Sequence, residues 1–121
     1  MKIEALDPST PLPQQFQEKT GPITLVNVFD VPPDLYEQFL TIWQEDAAYM
    51  KASPGCIHTQ LHKGTAGSRL LVNVAVWEST QALLAAFSKP EFQQSAAKYP
   101  AGITAYPHVY EKIAVEGICV A

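Results

Sequence analysis

Asn73 and Trp77 stand four residues apart in the otherwise aliphatic run Leu70-Leu71-Val72-Asn73-Val74-Ala75-Val76-Trp77. The run is rich in Val and Leu and flanked by turn formers, so it reads as a buried strand. Side chains alternate along a strand, which puts Leu71, Asn73, Ala75 and Trp77 on one face. An amide among aliphatics needs hydrogen-bond partners, and leaving them unmade costs about 1–3 kcal/mol. Ala75 leaves room between the amide and the indole. The pair is separated by about 13 Å along the strand, the scale of a two- or three-ring aromatic. The pattern describes a cavity with one polar fixed point and one aromatic wall. The plainer alternative is a core strand whose Asn bonds a neighbour. Asn27 stands among aliphatics in the same way. Three histidines, His58, His62 and His108, are candidate bases, because neutral imidazole takes a proton near pH 7.

The elements that must position these residues follow in order. Residues 1–21 are polar and hold Pro8, Pro11 and Pro13, a composition that opposes a regular helix or central strand. They read as an extended arm, loose or laid across a partner subunit. Residues 22–29 read as the first strand, with Ile23, Leu25, Asn27 and Phe29 on one face. Pro32 and Pro33 then open a helix, whose apolar stripe is Tyr36, Phe39, Leu40, Trp43, Ala47 and Met50. Ser53-Pro54-Gly55 ends it.

A second strand covers 56–63, with Cys56, His58, Gln60 and His62 on one face and Ile57, Thr59 and Leu61 on the other. His58 and His62 point the same way but lie about 13 Å apart, too far to share one zinc ion, so no metal site is expected. Residues 63–68 form a hairpin turn before strand 70–77. Ser79 caps a helix over 80–87, and Ser88-Lys89-Pro90-Glu91 fits a capping box for another short helix. The last strand spans 104–115, with Tyr106, His108 and Tyr110 on one face and Pro107 marking an edge or bulge.

The order β-α-β-β-α-β is the split pattern of an α+β, ferredoxin-like antiparallel sheet over residues 22–115, followed by a short tail, 116–121. Helices cover one face. The aliphatic set Leu70, Val72, Val74 and Val76 is expected beneath them. Ile23, Leu25, Phe29, Leu71 and Trp77 would then form a bare apolar face that a second copy covers, giving a homodimer.

A chain of 121 residues suits one domain. With 12 acidic against 8 basic side chains and no basic stripe, a nucleic-acid surface is not expected. Two cysteines make neither a disulfide framework nor a metal motif. No apolar signal core or run of about 20 apolar residues occurs, so the expectation is a cytoplasmic protein without a membrane partner.

Strand-helix-Ser-Pro-Gly-Cys, then Leu71-Val72-Asn73-Val74-Ala75-Val76-Trp77-Glu78-Ser79-Thr80-Gln81-Ala82, then Ser88-Lys89-Pro90-Glu91-Phe92, resembles the antibiotic biosynthesis monooxygenase family over residues 22–114. The most specific piece is Asn73-x-x-x-Trp77-Glu78-Ser79. The resemblance implies a homodimeric α/β barrel, with a site between sheet and helices in each subunit. It also implies oxidation of polyketide-type phenols by O₂ without flavin or metal. The quinone-forming members carry a Tyr where this chain has Leu83, and an Arg in the second helix where this chain has Gln93, Gln94, Ala96 and Ala97. Haem-degrading members use a second-helix His, and residues 79–100 contain none.

The resulting expectation is a cofactor-independent monooxygenase acting on a small phenol- or anthrone-like aromatic. Asn73 would donate to a developing oxyanion and Trp77 would bound the ring. His62 is the catalytic base candidate, and Asn27, His58, Leu83 and His108 are candidate substrate contacts. A non-catalytic small-molecule-binding module and a proton-transfer isomerase on the same fold are the rival readings.

Overall fold

The computed structural model describes all 121 residues. In chain order the elements are β1 (Lys2–Ile3), α1 (Leu12–Gln15), β2 (Ile23–Asp30), α2 (Tyr36–Ala52), β3 (Cys56–Lys63), β4 (Leu70–Trp77), α3 (Thr80–Phe87), α4 (Pro90–Ala96) and β5 (Thr104–Tyr110). A single 3₁₀ turn at Pro33–Leu35 leads into α2. The sheet order is β1-β5-β2-β4-β3. β2 through β5 pair antiparallel, and β1 adds a parallel edge on β5. The α+β, ferredoxin-like expectation is met, with one strand more than the four expected.

Local chemistry explains the boundaries. Ser79 Oγ accepts from the Ala82 N–H at 3.1 Å, capping α3. The expected capping box does not form. Lys89 is the N-cap of α4 and makes no side-chain cap bond, because Pro90 takes the first helical position and shifts the start by one residue. Gly55 turns the chain out of α2 at φ +90°, and a Cβ there would lie 2.5 Å from that of Ala82. β5 stops at Tyr110, short of the expected 115.

The face assignment is the main correction. α2, α3 and α4 cover the side of the sheet that carries Ile23, Leu25, Phe29, Leu71, Ala75 and Trp77, all of them buried. The set Leu70, Val72, Val74 and Val76 is on the open side and none of it is fully buried. All-aliphatic composition suggested the covered face, but a helical layer also needs bulky aromatics to fill it, and these sit on the alternate register.

The core under the helices divides into two clusters. One gathers Phe29, Val31, Phe39, Ile42, Leu71, Tyr99, Ile103 and Ala105. The other gathers Ile23, Leu25, Ala75, Trp77, Leu83, Ala86 and Val109. Between them, on the same face, lies the directly paired rung Asn27–Asn73.

Residues 1–21 pack against their own chain. β1 pairs with Thr104 and Ala105. Farther along the same edge, Gln15 acts as a strand substitute. Its Oε1 accepts from the Val109 N–H and its Nε2 donates to the Val109 carbonyl, both at 2.9 Å. This covers an edge that would otherwise offer unpaired backbone groups. The arm then crosses to α3. The buried Thr80 hydroxyl donates to the Glu18 carbonyl at 2.5 Å and accepts from the Thr20 N–H at 3.2 Å. Thr80→Val keeps the shape and removes both bonds. It is expected to lower stability by about 1–3 kcal/mol in urea denaturation and to speed amide exchange around Thr20. Unchanged exchange there would contradict this anchoring.

Candidate active site

The interval between the two core clusters is hollow. β2 and β4 supply the floor through Leu25, Asn27, Phe29, Asn73, Ala75 and Trp77. α2 supplies the roof through Trp43, Asp46, Ala47 and Met50. Phe87 and Phe92 stack at 4.8 Å between ring centroids, 9° from parallel, and close one wall. The cavity holds about 80 Å³ of free space, against about 10–15 Å³ for a single water on the same measure. Apolar side chains dominate its lining, and a few polar groups converge in it, the usual make-up of a small-molecule site.

Asn73 and Trp77 share this cavity, as their spacing predicts, and Asn27 joins them. Thr59 Oγ1 donates to Asn73 Oδ1 at 2.8 Å. That bond fixes the amide so that its NH₂ end is free to donate. Three buried atoms of the lining have no partner within the protein: Asn27 Oδ1, Asp46 Oδ1 and Trp77 Nε1. Each such group costs about 1–3 kcal/mol unless something polar meets it. The three residues that carry them line one hollow.

The remaining expected residues do not line this cavity. His58 and His62 are exposed on the open side of β3, opposite Val76 and Val72. His108 is on the open side of β5, edge-on to Tyr110 with ring centroids 5.0 Å apart, its Nε2 3.2 Å from Gln15 Nε2. Leu83 is 0% exposed and packs in the Trp77 cluster beneath α3. Cys56 was expected on the histidine face, but a register irregularity between Cys56 and His58 shifts it to the Thr59 side, where it lines the cavity. Burial pushes its thiol pKa up, with Lys51 opposing, so it stays protonated. No three His, Cys, Asp or Glu side chains converge as a metal-ligand set, and no helix is long and apolar enough to cross a membrane.

Asp46 is the residue that the sequence reading passed over. It is 7% exposed, three residues after Trp43 and four before Met50. A carboxylate within an apolar helical stripe was the available signal. Burial raises its pKa from the carboxylate value, the Ser95 hydroxyl and Tyr99 phenol pull it back, Glu45 adds to the rise and Lys98 opposes it. The Ser95 contact is not a closed hydrogen bond, since Asp46 Oδ1 and Ser95 Oγ both lack a partner. Burial first, then Asp46, holds the Tyr99 phenol far above its ordinary range, so it remains a phenol.

The antibiotic biosynthesis monooxygenase model matches residues 22–98, the span that holds the floor, the roof and both cavity-lining helices, α3 and α4. Among solved structures, a candidate monooxygenase from Shewanella loihica is 31% identical, with 78% of this chain and 97% of that one covered at a TM-score of 0.66. SnoaB, a cofactor-independent oxygenase from Streptomyces nogalater, is 23% identical over 81% of this chain and 99% of its own, at a TM-score of 0.68. A candidate antibiotic biosynthesis monooxygenase from Caulobacter crescentus is 21% identical over 78% of this chain and 92% of its own, also at 0.68. The likeness to the last two is one of fold. No curated protein sequence matches. On the family match over residues 22–98 and the Shewanella relative, the chain belongs to the antibiotic biosynthesis monooxygenase family.

Proposed function

We propose that the protein is a cofactor-independent monooxygenase that oxidises a phenol- or anthrone-like ring with O₂. The observation that carries this reading is the free NH₂ end of Asn73, held by Thr59 and set in an aromatic-walled cavity with Trp77. An electron-rich ring, once deprotonated, donates an electron to O₂ directly. The protein then has to bind the ring, stabilise its oxyanion and exclude bulk water. Asn73 Nδ2 supplies the donor to the ring oxygen, in a setting where the amide is already oriented. The Trp77, Phe87 and Phe92 rings bound a flat ligand, and Asn27 lines the floor beside Asn73. Family membership and the described activity of SnoaB, whose fold this chain shares, agree with the reading.

A binding module that performs no reaction is the second reading, and Leu83 favours it. At the position where quinone-forming relatives carry a Tyr, this chain buries a Leu away from the cavity. Oxygen uptake separates the two readings.

Asn73→Ala is expected to lower the rate of O₂ consumption with an anthrone by about 10²–10³-fold, the usual cost of one oxyanion donor, with the fold intact and only a small drop in melting temperature from the lost Thr59 bond. Trp77→Phe is expected chiefly to raise KM, since it trims the wall and removes the indole N–H. If Asn73→Ala turns over normally but melts much lower, the amide is structural and the catalytic reading fails.

The open sheet face is proposed as a homodimer interface. It presents Val26, Val28, Val72, Val74 and Val76, none fully buried, with Tyr106 and His108 beside them on β5. Val74 is central, between Val26 and Gln60. Light scattering of the wild type is expected to give twice the chain mass, and Val74→Arg to give a monomer. A wild-type monomer at micromolar concentration would refute the interface.

A further inference from the structure

We propose that Asp46 is the catalytic proton acceptor of the cavity, removing a proton from the acidic methylene of an anthrone-type ring held against Asn73. Asp46 is the one carboxylate in the lining, and α2 sets it in the roof over the Asn27–Asn73 floor. Its polar neighbours are the Ser95 hydroxyl and the Tyr99 phenol, and no cation pairs with it. Its Oδ1 is unbonded, and the Lys98 ammonium is engaged with Glu45 at 3.1 Å on the surface. A buried carboxylate is normally paired, because taking a lone charge out of water is costly. Here the carboxyl has no cation and lines a hollow, beside a phenol (Tyr99) that stays protonated and a thiol (Cys56) that does the same. The three histidines are on the other side of the sheet and do not compete for the role.

The charged and titratable groups around Asp46 are Glu45 on its own helix, and Lys98 and Tyr99 on the segment after α4. Their effects are smaller than that of burial, and the net result is a stronger base than an exposed Asp. A base whose proton affinity is raised toward working pH is better matched to a weak carbon acid.

The proposal rests on the oxygenase reading only for the steps after proton removal. Asp46 takes one methylene proton, and the electron pair moves into the ring as an enolate whose oxygen accepts from Asn73 Nδ2. The enolate gives one electron to O₂, and the superoxide and ring radical join in a C–O bond. The peroxide takes its proton back from Asp46. Loss of the second C–H proton and cleavage of the O–O bond release water and leave a carbonyl. The sum is CH₂ + O₂ → C=O + H₂O.

The test uses anthrone as the probe and reads two rates. Under nitrogen in D₂O, the wild type is expected to catalyse exchange of the anthrone methylene protons. Asp46→Asn is expected to lose this exchange by 10²-fold or more while still quenching Trp fluorescence on binding anthrone, and Asp46→Glu to retain part of it. In air, the same samples are read for O₂ uptake. Exchange that persists in Asp46→Asn overturns the role of Asp46 and leaves the oxygenase reading standing if O₂ is consumed. Exchange by the wild type without O₂ uptake supports Asp46 and removes the oxygenase reading. A wild type that does not exchange anthrone overturns the proposal. Should Asp46→Asn fail to fold, the pH profile of wild-type exchange and the Asp46→Glu rate decide. The proposal requires a rising limb set by a carboxyl above its ordinary range, and an altered limb in the Glu variant.

Folding stability gives a readout that needs no substrate. The folded protein holds the Asp46 proton more tightly than the unfolded chain does. Between the two pKa values the folded state therefore binds more protons, and this residue's contribution to stability falls as pH rises. Relative to Asp46→Asn, the wild type is expected to gain stability as pH is lowered from 7 toward 4. A difference between the two that does not change with pH would mean that Asp46 is not held as a strained carboxylate.

Discussion

A polar rung laid across the covered face of the sheet, Asn27 beside Asn73, is the constraint on which the rest of this molecule depends. Two adjacent amides cannot be filled over with aliphatic side chains without stranding their donors and acceptors. The core accordingly condenses on either side of them, around Phe39 at one end and Trp77 at the other. The hollow between is a consequence of the sequence of β2 and β4. Only one of the amide oxygens is satisfied internally, by Thr59. The donor end of Asn73 is left to whatever enters.

The cavity is framed by elements that have other reasons to be where they are. The Ser79 cap and the Gly55 turn set α3 against the end of α2. The stacked Phe87–Phe92 pair joins α3 to α4. Residues 1–21 reinforce this frame from outside. Gln15 occupies the open edge of β5 and Thr80 ties the arm back to α3. Met1 reaches the cavity lining, with its amino group donating to the Tyr99 carbonyl at 3.2 Å. The arm is thus part of the wall around the site as well as a strap on the sheet edge.

Much of this was legible in the amino-acid order. Period-two alternation placed Asn73 and Trp77 on one face, and the bounds of β3, β4 and α3 fell where turn and cap residues put them. Alternation cannot say which face the helices cover, because both faces of β4 are apolar. Leu71 and Trp77 were therefore expected in the open and are buried instead. A backbone irregularity after Cys56 reverses the inward residue and leaves no mark in composition. The arm was misjudged for a different reason. Its prolines oppose a long helix or a central strand, but Pro13 is tolerated in the first turn of the short α1, and a two-residue edge strand and one glutamine side chain suffice to dock the arm. Asp46 escapes a periodicity reading because it lies within the hydrophobic stripe of α2, where the charged residue is the informative one.

The account stands or falls on how the amide of Asn73 meets a ring oxygen. The most direct measurement is a crystal structure of the protein with a hydroxynaphthalene bound. The account predicts the ring between Trp77 and the Phe87–Phe92 wall, its oxygen about 2.7–3.1 Å from Asn73 Nδ2, and the Thr59–Asn73 bond intact. A ligand bound only on the open face of the sheet, or a cavity closed by side chains with Asn73 Nδ2 bonded within the protein, would contradict it.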